Sequence, residues 1–120
     1  MSGLKVLVVE DEPLVRIDIS DSLVDAGFEV IEAANAADAI AALESHADIR
    51  LIFTDIDMPG SMDGLMLAAA VADRWPPVRI IVTSGHRIVE ITDMPDGSVF
   101  FSKPYRATEI VASMHELLRG

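Results

Sequence analysis

Short runs of β-branched and other apolar residues alternate with longer segments rich in alanine and leucine along this chain. This alternation limits the fold more than any other feature, because each short run predicts a buried strand and each longer segment a helix. Strands that alternate with helices pair in parallel, and the helices cross over in a right-handed sense to cover both faces of the sheet. We therefore predict an α/β fold, a doubly wound five-stranded parallel sheet with strand order 2-1-3-4-5.

The elements can be placed from these runs and from their boundary residues. The predicted strands are Lys5–Glu10, Phe28–Ala33, Leu51–Thr54, Arg79–Thr83 and Val99–Ser102. The predicted helices are Pro13 up to a stop at Gly27, Ala36–Ser45, Leu65–Arg74 and Thr108–Leu118. Pro13 suits the first turn of a helix, Asn35 is a favourable helix cap, and Pro76-Pro77 ends the third helix.

The segment His86–Gly97, between the fourth and fifth strands, does not fit this scheme. It has room for one helical turn around Arg87–Ile91, because Pro95 and Gly97 interrupt anything longer. We therefore expect the fourth helix of the doubly wound fold to be shortened or missing.

Charge and composition narrow the function classes. The net charge is −11, and it is uneven, since residues 1–60 hold 13 acidic and 3 basic side chains while residues 61–120 hold 7 and 6. Such an excess argues against nucleic acid or an anionic membrane as a direct partner. The chain has no cysteine, no apolar run long enough to span a bilayer and no signal-peptide pattern. We expect one domain, residues 1–120, located in the cytoplasm.

Polar side chains follow four of the five predicted strands. Glu10-Asp11 stands at the end of the first strand, Asp55 at the end of the third, Thr83-Ser84 at the end of the fourth, and Lys103-Pro104 just past the fifth. Each alone has an ordinary explanation as a turn, a cap or a surface charge. Because the carboxyl ends of parallel strands meet at one edge of a sheet, four such ends together indicate a functional site.

The residue types suggest the chemistry of this site. Carboxylates that lie close together repel one another, and they favour a hard divalent cation such as Mg²⁺ or Mn²⁺. A cation next to a lysine and a hydroxyl is an arrangement suited to phosphoryl transfer, because both neutralise or bind phosphoryl oxygens. A remaining carboxylate can then act as the nucleophile and form an acyl phosphate.

These motifs resemble, over the whole chain, those of the receiver domains of bacterial two-component response regulators, which have the CheY-like variant of the flavodoxin fold. The matching motifs are Glu10-Asp11 after VLVV, Asp55 after LIFT with Met58-Pro59 behind it, Asp63-Gly64, Ser84-Gly85 after IIVT, and Lys103-Pro104.

The resemblance implies a role for each acidic residue. Asp55 is the expected phosphoacceptor, and it receives the phosphoryl group from the phosphohistidine of a sensor histidine kinase or a histidine phosphotransfer protein. Asp11 is expected to bind Mg²⁺ directly, Glu10 through water, and Asp57 through its backbone carbonyl, and Asp55 is a further expected metal residue. Output would pass through contacts with a downstream protein that the sequence does not identify.

The resemblance also assigns the phosphoryl-binding and switch residues. Ser84 and Lys103 would hold the phosphoryl group, and the Lys103-Pro104 bond is expected to be cis. Phe100 takes the position of the switch aromatic residue. Thr83 remains the alternative to Ser84, since neighbours on a strand point to opposite faces.

Some features depart from the common pattern of that family. The loop from Asp55 to Gly64 is one residue longer, and Phe100 replaces the more frequent tyrosine, so it offers no hydroxyl. Asp57 and His86 stand at the two positions that tune the phosphate lifetime. The Asp57 side chain could orient a water or only add repulsion, and His86 could be a general base or a solvent-exposed side chain. A shortened fourth helix also puts the usual regulator dimer in doubt.

Two other functions stay open. The run Asp55-Ile56-Asp57 after an apolar strand is similar to the motif of haloacid-dehalogenase-type phosphatases, although in that family it lies on the first strand. A pseudo-receiver, which binds partners without being phosphorylated, is the third hypothesis. In the main hypothesis the protein assists its own phosphorylation and dephosphorylation and is otherwise not an enzyme.

Overall fold

Five parallel strands form one sheet, flanked by four helices among the residues described. The computed structural model describes residues 3–58, 60, 62–85 and 94–119. The strands are β1 (Lys5–Val9), β2 (Glu29–Ala33), β3 (Ile49–Asp55), β4 (Arg79–Ser84) and β5 (Val99–Ser102). The helices are α1 (Pro13–Asp25), α2 (Ala36–Ser45), α3 (Gly64–Arg74) and α4 (Ala107–Leu118). The sheet order is β2-β1-β3-β4-β5, so the predicted doubly wound fold is confirmed.

The predicted boundaries differ from the observed ones by at most two residues, and those of Ala36–Ser45 and Val99–Ser102 coincide with them. β1 ends at Val9 instead of Glu10, although the Glu10 backbone N–H still donates to the Ala33 carbonyl at 3.1 Å. β3 begins at Ile49 and includes Asp55, because pairing with β1 and β4 extends past the apolar run at both ends. α1 ends before Gly27, where φ is 98°.

The prediction of a shortened or missing fourth helix concerns mainly residues 86–93, which lie outside the described residues. After them, residues 94–98 include a turn in which the Ser98 N–H donates to the Pro95 carbonyl at 3.1 Å. His86 lies outside the described part of the chain as well.

Helices cover both faces of the sheet, and this explains why the central strands are apolar at almost every position. On one face, α1 and α4 pack on alternate strand residues, with a core that includes Val8, Ile19, Leu23, Phe53, Ile110 and Met114. On the other face, α2 and α3 pack on the intervening residues, with a core that includes Leu7, Ala39, Leu43, Ile52, Leu67 and Val71. The strand ends are therefore fixed from both sides, which gives the side chains at that edge defined positions.

No helix in the described ranges has both the length and the apolar character that a bilayer crossing requires.

Candidate functional site

Three of the polar strand ends meet, with a lysine in contact with two carboxylates. Glu10 follows β1 directly, Asp55 ends β3, and Lys103 follows β5. The Lys103 Nζ atom lies 2.9 Å from Asp55 Oδ2 and 3.2 Å from Glu10 Oε2. The sheet thus joins a cation from the nearly neutral second half of the chain to two carboxylates from the acidic first half.

Glu10, Asp11 and Asp55 form a cluster of oxygen donors. Each residue offers one carboxylate oxygen, and these oxygens lie within 4.8 Å of one another. Glu10 and Asp55 are buried, whereas Asp11 is half-buried at the rim. Carboxylate oxygens at this spacing are the donor set that Mg²⁺ and Mn²⁺ prefer, so the residues present fit a hard divalent cation.

Burial and neighbouring groups together shift the pKa values of the two ionisable groups at the centre. Burial raises the pKa of the Glu10 carboxyl to about 7, against the backbone hydrogen bond from Glu12 and with the added repulsion of Asp55. Burial alone would lower the pKa of Lys103, but the hydrogen bonds and negative charges of Asp55 and Glu10 outweigh it and raise that pKa. Lys103 is therefore fully charged at neutral pH.

Ser84 and Asp57 are joined by a hydrogen bond beside Asp55. The Ser84 hydroxyl donates to Asp57 Oδ2 at 2.8 Å, and the Asp57 backbone N–H donates to Asp55 Oδ1 at 3.2 Å. The Lys103 backbone N–H also donates to the Ser84 carbonyl at 2.9 Å. Ser84 is thus linked to the segment that carries the lysine and to the loop that follows Asp55.

The neighbouring hydroxyl of Thr83 is placed differently. Thr83 is buried within β4, and its hydroxyl has no hydrogen-bond partner among the residues described. Since adjacent strand residues point to opposite faces, only one of the two hydroxyls can face the acidic cluster. The contact with Asp57 puts Ser84 on the side of the site.

Two further features expected from the sequence lie in β5 and directly after it. The Lys103-Pro104 peptide bond is cis, as the resemblance implies. Phe100 lies on β5, is half-buried, and packs against the core beneath α2 and α3. Tyr105 packs edge-on against Phe53 with ring centroids 5.6 Å apart, and burial raises its pKa to about 12, so it stays neutral.

Arg16 was not predicted from the sequence, yet it supports the site. Its Nη1 atom donates to the Glu10 carbonyl at 2.8 Å, and its Nε atom pairs with Glu32 Oε1 at 3.1 Å. The signal that could have identified it is a basic residue near the start of an otherwise acidic helix, five residues after Asp11.

An open depression of about 680 Å³ lies beside the site. Its lining includes Leu14 and Asp18 of α1 together with Lys103 and Tyr105. Leu14 is 82% exposed, so the lining of the depression presents an apolar side chain as well as the lysine.

Comparison with known proteins gives a consistent result. The sequence profile of the family described as "Response regulator receiver domain" matches residues 6–115. Chemotaxis protein CheY of Bacillus subtilis is 32% identical over 118 residues, which cover 95% of this chain and 97% of that protein. Sensor protein TorS of Escherichia coli is 30% identical over 100 residues, which cover 83% of this chain. This chain spans only 11% of TorS and 24% of a putative NtrX-like response regulator of Rickettsia felis.

Solved structures agree with this match. The crystal structure of a response regulator receiver protein from Sinorhizobium medicae superposes with a TM-score of 0.91 and 28% sequence identity, covering 98% of this chain and 96% of that one. The receiver domain of the hybrid histidine kinase CckA superposes with a TM-score of 0.80 and 30% identity, covering 95% and 98% of the two chains.

Proposed function

The chain belongs to the response regulator receiver domain family, and from this we propose that Asp55 accepts a phosphoryl group from a phosphohistidine with the help of Mg²⁺ or Mn²⁺. The observation that carries the proposal is the position of Asp55, which Lys103 contacts at 2.9 Å beside two further carboxylates. Residues 1–120 then act as one receiver domain in two-component signalling.

The Asp55 carboxylate is the nucleophile of the proposed transfer. One of its oxygens attacks the phosphorus atom, the phosphorus–nitrogen bond to the donor histidine breaks, and the released imidazole takes up a proton from water. Lys103 neutralises charge on the phosphoryl oxygens, and the Ser84 hydroxyl donates a hydrogen bond to one of them. When bound by Glu10, Asp11 and Asp55 and by the Asp57 carbonyl, Mg²⁺ supplies further positive charge to the same oxygens.

The transferred group is then the signal. We propose that contacts of Ser84 and Lys103 with the phosphoryl group shift a pre-existing equilibrium of the β4 and β5 ends, in which Phe100 changes its packing. Asp57 and His86 are proposed to set the lifetime of the acyl phosphate. No separate substrate is turned over in this scheme, and the exchange takes place in the cytoplasm.

The proposed phosphodonors are a sensor histidine kinase or a histidine phosphotransfer protein. The depression between α1 and Lys103 supports this, because its lining offers a partner protein an exposed apolar side chain, Leu14, together with the lysine that contacts Asp55. The downstream partner is a protein, since the excess of acidic residues disfavours nucleic acid and anionic membranes.

A single incubation tests the proposal. The protein is mixed with acetyl phosphate and Mg²⁺, and its intact mass is followed. We expect the gain of one phosphoryl group in the wild type and in Asp38→Asn, a matched variant at an exposed carboxylate of α2, but none in Asp55→Asn or with a chelator. A gain that survives Asp55→Asn would overturn the assignment.

Two further outcomes address the alternatives. Steady turnover of a generic phosphomonoester with Mg²⁺ would favour a phosphatase, for which the relatives named above give no support. A beryllium fluoride complex that leaves the amide spectrum of residues 84–103 unchanged would favour a pseudo-receiver.

A further inference from the structure

We propose, on the basis of the function above, that the Asp57 carboxylate competes with the phosphoryl group for the hydroxyl of Ser84. In the unphosphorylated protein Asp57 acts as a positioning residue, which holds this hydroxyl in a resting orientation. It does so without contacting the reacting atoms through its own side chain.

The contact has the geometry of a strong hydrogen bond. The Ser84 Oγ atom lies 2.8 Å from Asp57 Oδ2, and Ser84 is only 1% exposed. Bonds to an ionised acceptor are shorter and stronger than those to a neutral one. The Asp57 backbone is fixed at the same time, because its N–H donates to Asp55 Oδ1 at 3.2 Å.

The number of protons on the hydroxyl makes the competition exclusive. A serine hydroxyl carries one proton and can donate it to one acceptor at a time. If Ser84 is to donate to a phosphoryl oxygen on Asp55, its bond to Asp57 has to break. Phosphoryl uptake therefore includes the loss of an existing charge-assisted bond, and the apparent affinity for a phosphoryl group falls accordingly.

Asp57 can oppose the phosphoryl group in two ways that are separable by experiment. Its negative charge repels the phosphoryl oxygens whether or not Ser84 is present. Its hydrogen bond with the hydroxyl, in contrast, affects phosphoryl binding only when the Ser84 side chain is present. A change in binding that depends on the Ser84 side chain therefore reports competition, and one that does not reports repulsion.

The test is a double-mutant cycle on the affinity for beryllofluoride, a phosphoryl mimic, in the presence of Mg²⁺. The variants are Asp57→Ala, Ser84→Ala and the double substitution, measured by titration followed in amide NMR spectra. Glu12→Gln is the matched control, because it removes one negative charge from an exposed side chain close to the site without touching Ser84. Asp57→Asn, with its weaker acceptor, is the second variant in case the alanine variant does not fold.

We expect Asp57→Ala to tighten beryllofluoride binding roughly three- to tenfold, the range of a net hydrogen bond. In the Ser84→Ala background the same substitution should tighten binding less than in the wild type, because it then removes only the repulsion between the carboxylate and the phosphoryl mimic. Equal tightening in both backgrounds, or no tightening in either, would overturn the proposal. Failure of the proposed function is distinguishable from failure of this proposal. The proposed function fails if the wild-type protein neither gains mass on Asp55 nor binds beryllofluoride, whereas this proposal is decided by the variants.

Discussion

Glu10 is a buried carboxyl that lies between a cation and a second carboxylate. It is 1% exposed, it contacts the Lys103 ammonium, and its carboxyl lies within reach of that of Asp55. The net result is a pKa raised from 4.5 to about 7, with burial as the largest cause. A carboxyl with a raised pKa takes up protons on folding, and this fixes the sign of its effect on stability.

We predict that Glu10 makes the metal-free protein less stable as pH rises from about 4.5 to 7. Between these values the folded state holds a proton that the unfolded state has lost, so the contribution is complete below 4.5 and disappears as pH passes 7. The measurement is the free energy of unfolding by urea across this range, in wild type and in Glu10→Gln. The wild type should lose stability relative to the variant; a constant difference would contradict the raised pKa.

Position 64 requires glycine because the Asp55 backbone lies too close for a side chain. It is the first residue of α3, and a Cβ atom added there would lie 2.1 Å from the Asp55 carbonyl oxygen. That distance is impossible without moving either α3 or the end of β3, which carries the proposed acceptor.

We predict that Gly64→Ala lowers the free energy of unfolding by about 1–3 kcal/mol, as overpacking does. Denaturant unfolding measures this directly. Gly85→Ala is the matched control, because its added Cβ would meet the Lys103 side chain only at an ordinary 3.5 Å. Equal stability of the two variants would argue against the close packing of α3 on Asp55.

The sequence was sufficient to predict which residues lie together at the site, but not which hydrogen bonds they form. That Glu10, Asp55 and Lys103 lie together follows from parallel topology, because the carboxyl ends of β1, β3 and β5 share an edge. The bond from Ser84 to Asp57 does not follow, since it depends on side-chain rotamers in a loop whose course local patterning does not determine. The sequence left the role of the Asp57 side chain open for the same reason.

At the scale of secondary-structure elements, the Arg16 side chain connects α1 with the ends of β1 and β2. From α1 it reaches the carbonyl at the end of β1 through Nη1 and the Glu32 carboxylate of β2 through Nε. The hydrogen bond to the Glu10 carbonyl is partly buried, whereas Glu32 is 42% exposed. The two contacts should therefore contribute differently to the free energy of unfolding.

We predict that Arg16→Met lowers the free energy of unfolding by about 1–2 kcal/mol, because it leaves the Glu10 carbonyl without its charged donor. Glu32→Gln should change stability by less than about 0.5 kcal/mol, since exposed ion pairs contribute little. Thermal and urea unfolding of both variants provide the comparison. If Glu32→Gln were as harmful as Arg16→Met, the surface pair rather than the backbone contact would be the important one.

The element boundaries illustrate what local pattern can and cannot determine. Apolar runs located all five strands, because strands covered on both faces are apolar at nearly every position. They did not reveal that β3 begins at Ile49, since the exposed Arg50 breaks the run while pairing with β1 continues. The start of α3 at Gly64, one residue before the prediction, reflects the cap by Asp63, whose side chain accepts from the Met66 N–H.

At the scale of the whole molecule, the candidate site accounts for part of the uneven charge distribution along the chain. Of the 13 acidic residues in the first 60, Glu10, Asp11 and Asp55 form the oxygen cluster, and Lys103 comes from the second half. A cation that neutralises the cluster should therefore stabilise the folded state, because the unfolded chain separates these carboxylates.

We predict that Mg²⁺ stabilises the wild type, by about 2.7 kcal/mol at one hundred times its Kd. Asp11→Asn, which removes one donor of the cluster, should lose most of this effect, whereas Asp38→Asn should keep it. Melting temperatures with increasing Mg²⁺ and after addition of a chelator measure the difference. A Mg²⁺ effect that is the same in all three proteins would indicate binding elsewhere on the acidic surface.

The central claim is that the phosphoryl group is carried by Asp55, and mapping the modified residue tests it most directly. Protein treated with acetyl phosphate and Mg²⁺ is reduced with borohydride, which converts an acyl phosphate to the alcohol, and its peptides are sequenced by mass spectrometry. The account predicts that reduction occurs at Asp55 alone and disappears when the chelator replaces Mg²⁺. Reduction at Asp11, Asp57 or another carboxylate, with Asp55 unmodified, would contradict it.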